Sequence, residues 1–411
     1  MTTKPTIQIE DPFAERPKPT SNFALFNYGF RTFFLLSGVF GAISIPVWVA
    51  LFGGHWDFPL TTAPAIWHGH EMLFGFAASA IAGFLLTVVP NWTKVKARKG
   101  GILIALAAVW VVGRVAYWAQ AALPYGLVMA LDLAFLLALT FLVLRPLANP
   151  QHRRQFVFVP ILALLVVANA MTHLSGLGVE ALGVDWGLHG LTLGLDATIL
   201  LITIMGGRVT PSFTSSYLGH QDPNVRVQQR PKLDRVVILA TWAMLVIDQV
   251  LPLTPFAALV TLIAAGAHAW RLSGWQGLRT LSNPILWVLH LGYAWLVVGL
   301  VVKALGDFGF IRSVDALHAL TIGGVGTIVI AIMTRASLGH TGRDIKAAPV
   351  IVAAYVLISV SAVVRTLVVV LPDLSVELIM LSGAAWSLAY LAFVVVYTPI
   401  LVRPRIDGRP G

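Results

Sequence analysis

The sequence predicts an all-α protein, a polytopic transmembrane helical bundle of about 12 helices with its N-terminus and C-terminus in the cytoplasm. Hydrophobic residues make up 57% of the chain and charged residues only 11%, whereas a soluble protein carries about 25% charged residues. The apolar residues gather in runs that approach the ~20 residues needed to cross a bilayer. The positive charges gather in every second connection between these runs, as the positive-inside rule requires.

The apolar runs follow one another with short polar connections between them. The seventh and eighth runs are the shortest, so the hairpin that they form is the least secure pair of spans. A missed or extra helix would place every later loop on the wrong side of the membrane. The twelve runs cover residues 32–53, 68–89, 101–119, 126–144, 156–177, 187–206, 236–251, 254–270, 284–305, 315–333, 347–371 and 376–402.

The charges support this count of helices. With the N-terminus inside, the inner segments contain 24 of the 28 lysines and arginines. The outer loops contain only Lys303 and Arg312, together with several acidic residues. An excess of Lys and Arg in the cytoplasmic loops sets the orientation of a membrane protein. The sequence therefore predicts twelve spans with both ends of the chain inside.

The ends of the chain are expected to lie outside the bundle. The first 20 residues are polar and rich in proline, and they lack the apolar core of a signal peptide. We expect a flexible cytoplasmic tail at 1–30, a single transmembrane domain at 31–403 and a short cytoplasmic tail at 404–411.

Any metal in this protein must be bound without thiolates, because the chain contains no cysteine. This excludes disulfides, a nucleophilic cysteine and the covalent haem attachment of c-type cytochromes. Histidine, methionine, carboxylate and backbone oxygen remain as ligands. The net charge of +10 reflects the inner loops, and it gives no reason to expect a nucleic acid as partner.

Histidines and buried arginines gather at one predicted depth. Neutral imidazole is the usual ligand for haem iron and copper when thiolates are absent. Arginine in the same layer suits haem propionates, because its planar fork pairs with carboxylates. The alternative is that the histidines are interfacial residues and the arginines snorkel. The predicted outer third of the membrane contains His68, His70, His173, His189, His318, Arg114 and Arg365.

The segment Trp67-His68-Gly69-His70-Glu71 contains the closest pair of these histidines. Two residues on a helix are separated by about 200°, so the two rings point to opposite faces. They cannot chelate one ion if the segment is helical, but they could ligate two metals on either side. Glu71 could orient one of the rings by accepting its N–H.

Several stretches together resemble the NnrS family, and their order and spacing run across most of the chain. The segments WHGHEM at 67–72 and LGHTGR at 338–343 are the most specific of them. The resemblance implies a polytopic bacterial membrane protein that contains haem and copper and is associated with denitrification and protection against nitric oxide. The matching stretches are 30–34, 67–76, 83–87, 90–93, 206–208 and 335–343.

The candidate ligands come from two sources. His68 and His70 match the first motif of the family, and His340 with Arg343 matches the second. Depth and chemistry add the remaining residues. The predicted cofactor-binding residues are His68, His70, His173, His318, His290, Arg114 and Arg365, and the predicted metal ligands are His68, His70, His318, His189 and His340.

These expectations lead to one main function and two alternatives. The main hypothesis is a multi-pass protein of the bacterial inner membrane that binds non-covalent haem b and copper and takes part in the response to nitric oxide and nitrosative stress. The first alternative is a metal-free secondary transporter. The second is a quinol-linked haem-copper oxidoreductase that acts on nitric oxide. Whether the protein is an enzyme stays open.

Overall fold

The computed structural model describes residues 23–56, 59–179, 183–222 and 224–409. These residues form helices and no strand, so the predicted all-α class is confirmed. Short 3-10 turns lie in several of the connections. The twelve long helices are α1 (Gly29–Phe52), α2 (Pro64–Thr93), α3 (Gly101–Trp118), α4 (Tyr125–Leu147), α5 (Phe158–Gly176), α6 (Trp186–Gln221), α7 (Pro231–Val250), α8 (Pro255–Ser273), α9 (Pro284–Asp307), α10 (Ser313–His340), α11 (Pro349–Leu367) and α12 (Ser375–Val402).

Proline and capping residues explain where many of the helices begin. Five of them start with proline, which tolerates the first helical position because the N–H there has no partner in the helix. The side chain of Asp185 accepts from the N–H of Leu188 at the start of α6, at 3.0 Å. The hydroxyl of Thr254 accepts from the N–H of Ala257 at the start of α8, at 3.2 Å. Such caps satisfy N–H groups that the first turn leaves open.

Eleven of these helices are long and apolar enough to cross a membrane. The remaining helix, α7, has a comparable length of 20 residues but carries Lys232, Asp234 and Arg235 in its first turns. It packs between α6 and α8 within the bundle. The protein is therefore a multi-pass membrane protein. Helix α7 belongs to the hairpin of two short runs that the sequence predicted least securely, and the other helix of that hairpin, α8, is among the eleven.

Most consecutive helices pack side by side, and α1 closes the bundle by packing on α12. The most buried of the membrane-spanning helices are α2, α6 and α10. Residues of α6 enter two separate hydrophobic clusters, Ile199 in one and Leu200 in the other. These three helices form the centre of the bundle. We call the end at which all three begin the predicted outer end, and the opposite end the predicted inner end.

Helix α6 continues beyond its predicted end. The sequence predicted a span of 187–206 followed by a long loop, whereas the helix has 36 residues and ends at Gln221. A side chain at Gly207 would overlap the guanidinium of Arg271 on α8. Two successive glycines at 206 and 207 thus allow close packing inside a continuous helix rather than marking its end. Arg208, next to them, lies within the helix and not at its terminus.

The position of Lys303 differs from the prediction. The sequence analysis placed it in an outer loop, but it lies within α9 and is 5% exposed. Its ammonium is 2.9 Å from Oδ1 of Asp248 and 2.7 Å from Oδ2 of Asp307. Carboxylate partners offset the cost of burying a charge in the membrane. The orientation of the termini stays a prediction.

The segments that flank the bundle meet at the predicted inner end. The N–H of Ala24 donates to the carbonyl of Val402 at 2.7 Å. The guanidinium of Arg405 donates to the carbonyl of His340 at 2.7 Å and pairs with Asp407. This pairing lowers the pKa of Asp407 below its ordinary value. The predicted division into tails and a transmembrane domain stays a prediction, and most of the N-terminal tail lies outside the described residues.

Candidate functional site

An apolar cavity of about 200 Å³ lies between the three central helices near the predicted outer end. His68 and Met72 of α2 line one side of it, and His318 and Thr321 of α10 line another. Leucines, isoleucines and other apolar side chains form most of the wall. We call this space the His68–His318 cavity. It brings together two of the predicted ligands from distant parts of the chain.

The two imidazoles of this cavity are held by different contacts. The ring of His68 stacks on the indole of Trp48, with 4.5 Å between centroids and 14° between planes. Nδ1 of His318 lies 2.9 Å from the carbonyl oxygen of Val314. A carbonyl can only accept, so Nδ1 carries the hydrogen and the lone pair is on Nε2. That arrangement leaves Nε2 of His318 suited to bind a metal.

Arg365 of α11 lies beside this cavity and acts electrostatically on both of its histidines. One nitrogen of its guanidinium, Nη2, donates to Oδ1 of Asp315 at 2.9 Å. The other terminal nitrogen, Nη1, is buried and has no hydrogen-bond partner among the described residues. A buried donor without a partner is costly. This nitrogen is therefore available to an anionic group of a ligand.

The two helices that contribute a histidine to the cavity change geometry shortly after it. A π-helical segment occupies Glu71–Ala77 after His70 on α2, and another occupies Ala319–Gly326 after His318 on α10. Such wide turns are rare and occur frequently at functional sites. Their glycines allow large side chains to approach: a Cβ at Gly75 would meet Phe40 at 2.5 Å. Residues of both π-helical segments line the cavity.

A second group of polar residues lies on the opposite side of α2, fully inside the protein. Nε2 of His70 is 3.0 Å from Oδ2 of Asp132 on α4, and Nε2 of His173 on α5 is 2.9 Å from the same oxygen. Asn169 contacts both His70, at 2.8 Å, and Asp132, at 2.8 Å. One ligand atom from each of His70, Asp132 and His173 lies within 4.8 Å of the others. We call these residues, with Glu71 and Arg114, the His70 cluster.

The remaining contacts of the His70 cluster fix its rings and charges. Glu71 lies 3.2 Å from Nδ1 of His70, so the carboxylate orients the ring as the sequence suggested. The ring of Tyr117 stacks on that of His70 with 3.7 Å between centroids. Arg114 forms ion pairs with both Glu71 and Asp132. Two carboxylates and one guanidinium leave one net negative charge while the imidazoles are neutral.

A net charge in such a place is unfavourable. His70 and His173 are 0% exposed, and Glu71 and Asp132 are 1% exposed. Moving an uncompensated charge out of water costs several kcal/mol even after the protein relaxes. A bound cation or one added proton would restore neutrality. The donor set, two nitrogens and an oxygen, therefore suits a positively charged ligand.

The structure brings together most of the predicted site residues, but in two groups. His68 and His318 meet at the cavity with Arg365 beside it, while His70, His173 and Arg114 meet in the His70 cluster. The prediction that His68 and His70 face opposite sides of a helix is confirmed. Their role as ligands stays a prediction.

Three other predicted ligands lie apart from both groups. His189 is half-buried near the start of α6 and does not line the cavity. His290 bonds to the hydroxyl of Thr214 at 2.9 Å near the predicted inner end. His340 ends α10 and contacts the ring of Phe30 at 5.4 Å. It lies 22 residues beyond His318 on the same helix, a distance of about 33 Å at 1.5 Å per residue. We therefore do not retain these three in the site.

Asp132 and Asn169 are central to the His70 cluster, although the sequence analysis did not select them as site residues. A signal was present in the sequence: Asp132 lies seven residues after the start of α4, and Asn169 lies seven residues before the end of α5. Both positions fall in the same layer as Arg114. The predicted depth that identifies the histidines and arginines therefore also identifies this aspartate and this asparagine.

Comparison with known proteins places nearly the whole chain in one family. The family model described as "NnrS protein" matches residues 24–405. No curated protein matches the chain. The matched range includes every helix of the bundle and every residue of the two groups. A match of this extent identifies the chain as a member of the NnrS family.

Proposed function

We propose that this protein binds haem and copper in the bacterial inner membrane and acts in the response to nitric oxide. One observation carries the proposal: α2 presents two imidazoles, separated by a single glycine, to two different sites. His68 faces an apolar cavity that contains a second imidazole, and His70 joins a buried set of nitrogen and oxygen donors. Two unlike sites on one helix match two unlike metal cofactors.

The His68–His318 cavity has the chemistry that a haem needs. Its walls are apolar, as suits a porphyrin, and its two imidazoles are the kind of ligand that would hold haem iron in a b-type site. The unpartnered Nη1 of Arg365 supplies a donor for a propionate. His68, His318 and Arg365 are thus the residues that would hold the group. Haem held there would supply an iron centre able to bind nitric oxide.

The His70 cluster has the chemistry that copper needs. Imidazole nitrogen suits copper, and His70 and His173 offer two such atoms on either side of Asp132. Glu71 holds one ring through Nδ1, which fixes the atom left for the metal. The single negative charge of the cluster matches a monovalent cation such as Cu(I). Burial of every donor excludes water from that position.

The test is metal analysis and an absorption spectrum of the full chain, purified after expression with ample haem and copper. We expect a Soret band, copper in the same sample, and a shift of the Soret band when nitric oxide is added. Protein that contains neither metal under these conditions would overturn the proposal.

Oxidation of a quinol analogue with consumption of nitric oxide would extend the proposal to an oxidoreductase. Uptake of a solute by metal-free vesicles would instead favour a transporter.

A further inference from the structure

Four charged side chains meet inside the bundle, away from the two proposed metal sites. Asp196 lies on α6, Asp248 on α7, and Lys303 and Asp307 on α9. None of them is more than 5% exposed. We call them the Asp196 cluster. Intramembrane ionisable residues are costly and commonly mark pathways for ions or protons.

Two of the three hydrogens of the Lys303 ammonium are already bound to carboxylates. The ammonium donates to Oδ1 of Asp248 at 2.9 Å and to Oδ2 of Asp307 at 2.7 Å. Asp307 lies four residues further along α9, so this pair is local to one helix. The contacts of Lys303 account for one oxygen of Asp248 and one of Asp307. They do not account for Asp196.

Asp196 is 0% exposed, and neither of its carboxyl oxygens has a hydrogen-bond donor among the described residues. The group within hydrogen-bonding reach of Asp196 is the carboxyl of Asp248. Oδ2 of Asp248 is likewise buried without a donor. Three oxygens without donors therefore lie on two carboxyl groups that face each other. Buried polar atoms in folded proteins are nearly always hydrogen-bonded, so something is needed between them.

A proton on one of the two carboxyl groups would supply the missing hydrogen-bond donor. With every group ionised, three carboxylates and one ammonium would give the cluster two net negative charges. Two carboxylates that share a buried site cannot both ionise at neutral pH, because like charges repel strongly at low dielectric constant. One added proton removes the repulsion between Asp196 and Asp248 and supplies the donor that both lack. Such a pair binds and releases protons as a unit.

We propose that Asp196 and Asp248 form a carboxyl pair that holds one exchangeable proton inside the membrane. Lys303 and Asp307 lie within the last turn or two of α9, so the pair is closest to water at the predicted outer end. The proton is taken up from water at that end and returned to it, and no other bond is made or broken. This site is independent of haem and copper.

Among the described residues, Lys303 and Asp307 are the charged groups that act on the pair besides its own two carboxyls. Both face it from α9. On α8, which packs on α7 and α9, no titratable side chain precedes His268. The segment of α10 that packs on α9, Ala319–Gly326, is free of titratable residues. Asp315, before that segment, is bound to Arg365.

The experiment is infrared spectroscopy of the full chain in lipid nanodiscs. A protonated carboxyl gives a C=O stretching band that moves to lower frequency in D₂O when its proton exchanges. We expect this band in the wild type, with an intensity that falls as the pH is raised. It should be lost in Asp196→Asn, which mimics the protonated acid in shape. It should persist in Asp307→Asn, which removes the same charge from the same cluster but not from the pair.

Several outcomes would overturn the proposal. One is a wild-type protein without an exchangeable carboxyl band from mildly acidic to neutral pH, which requires no variant. Another is a band that survives in both Asp196→Asn and Asp248→Asn. A third is stabilisation of the wild type, but not of Asp196→Asn, by added Na⁺, K⁺ or Cu⁺ at constant pH. That result would assign the pair to a metal cation.

Discussion

His68 and His70 are separated by a single glycine, yet their rings face opposite sides of α2. His68 stacks on Trp48 at the edge of an apolar cavity, and His70 stacks on Tyr117 within a buried charged cluster. About 100° of helix rotation per residue is the cause. If the proposed assignment is right, substitution of one histidine should affect one cofactor and spare the other.

The first prediction concerns copper. His70→Ala and His173→Ala should lose most of the bound copper while the Soret band remains, because only the His70 cluster is altered. Glu71→Gln should weaken copper binding by about 10–100-fold, since it removes the group that orients the ring. Copper content by mass spectrometry and a chelator competition measure both effects. His55→Ala, at an exposed position, is the control. Equal loss of haem and copper in these variants would argue against separate sites.

The second prediction concerns haem. His68→Ala and His318→Ala should lose the Soret band and keep copper, and Arg365→Gln should lower haem affinity by removing the propionate partner. His189→Ala is a matched control, because this histidine lies at the same end but outside the cavity. The measurement is the absorption spectrum with haem titration. A normal spectrum in both His68→Ala and His318→Ala would exclude this cavity as the haem site.

The third prediction concerns stability. Arg114→Gln leaves the carboxylates of Glu71 and Asp132 buried without their cation, which should lower the free energy of unfolding by about 3–5 kcal/mol. Arg312→Gln removes a cation that is 85% exposed and lies 3.6 Å from Asp315, so it should cost less than about 1 kcal/mol. Denaturant unfolding of the purified protein in detergent gives both values. Similar losses of unfolding free energy in the two variants would contradict the role of Arg114 in neutralising the buried carboxylates.

The fourth prediction concerns helix packing beside the His70 cluster. A Cβ at Gly190 on α6 would lie 2.6 Å from the carbonyl oxygen of Ala168 and 2.7 Å from the nitrogen of Thr172. Because both atoms belong to the backbone of α5, Gly190→Ala must push the two helices apart and should cost about 1–3 kcal/mol. Gly266→Ala on α8 meets open space and should stabilise by up to about 1 kcal/mol. Thermal unfolding of the two variants compares them directly.

The fifth prediction concerns orientation, which the chain makes easy to test because it contains no cysteine. A single cysteine at His55, between α1 and α2, should react with a membrane-impermeant thiol reagent added to intact cells. A single cysteine at Asn224, between α6 and α7, should react only after the cells are opened. Both positions are exposed. The reverse pattern of labelling would invert the predicted topology and exchange the two ends of the bundle.

The sequence by itself determined the membrane class, the number of helices and the family, because each depends on local properties. Run lengths, loop charges and short motifs are all readable along the chain. The 200° separation of His68 and His70 was predictable for the same reason, since it depends only on helix geometry. The length of α6 was not predictable, because two glycines that resemble a helix end instead make room for Arg271 from a distant helix.

Only the tertiary structure decided which polar residues meet. The histidines and arginines that were predicted to form one layer form two groups, one on either side of α2. The group around His70 also includes Asp132 from α4 and Asn169 from α5. Lys303, expected in a loop, is buried against Asp248. Depth in the membrane can be counted along a sequence, but the direction in which a side chain points across the bundle depends on how each helix is rotated against its neighbours. That rotation follows from packing between residues far apart in the chain.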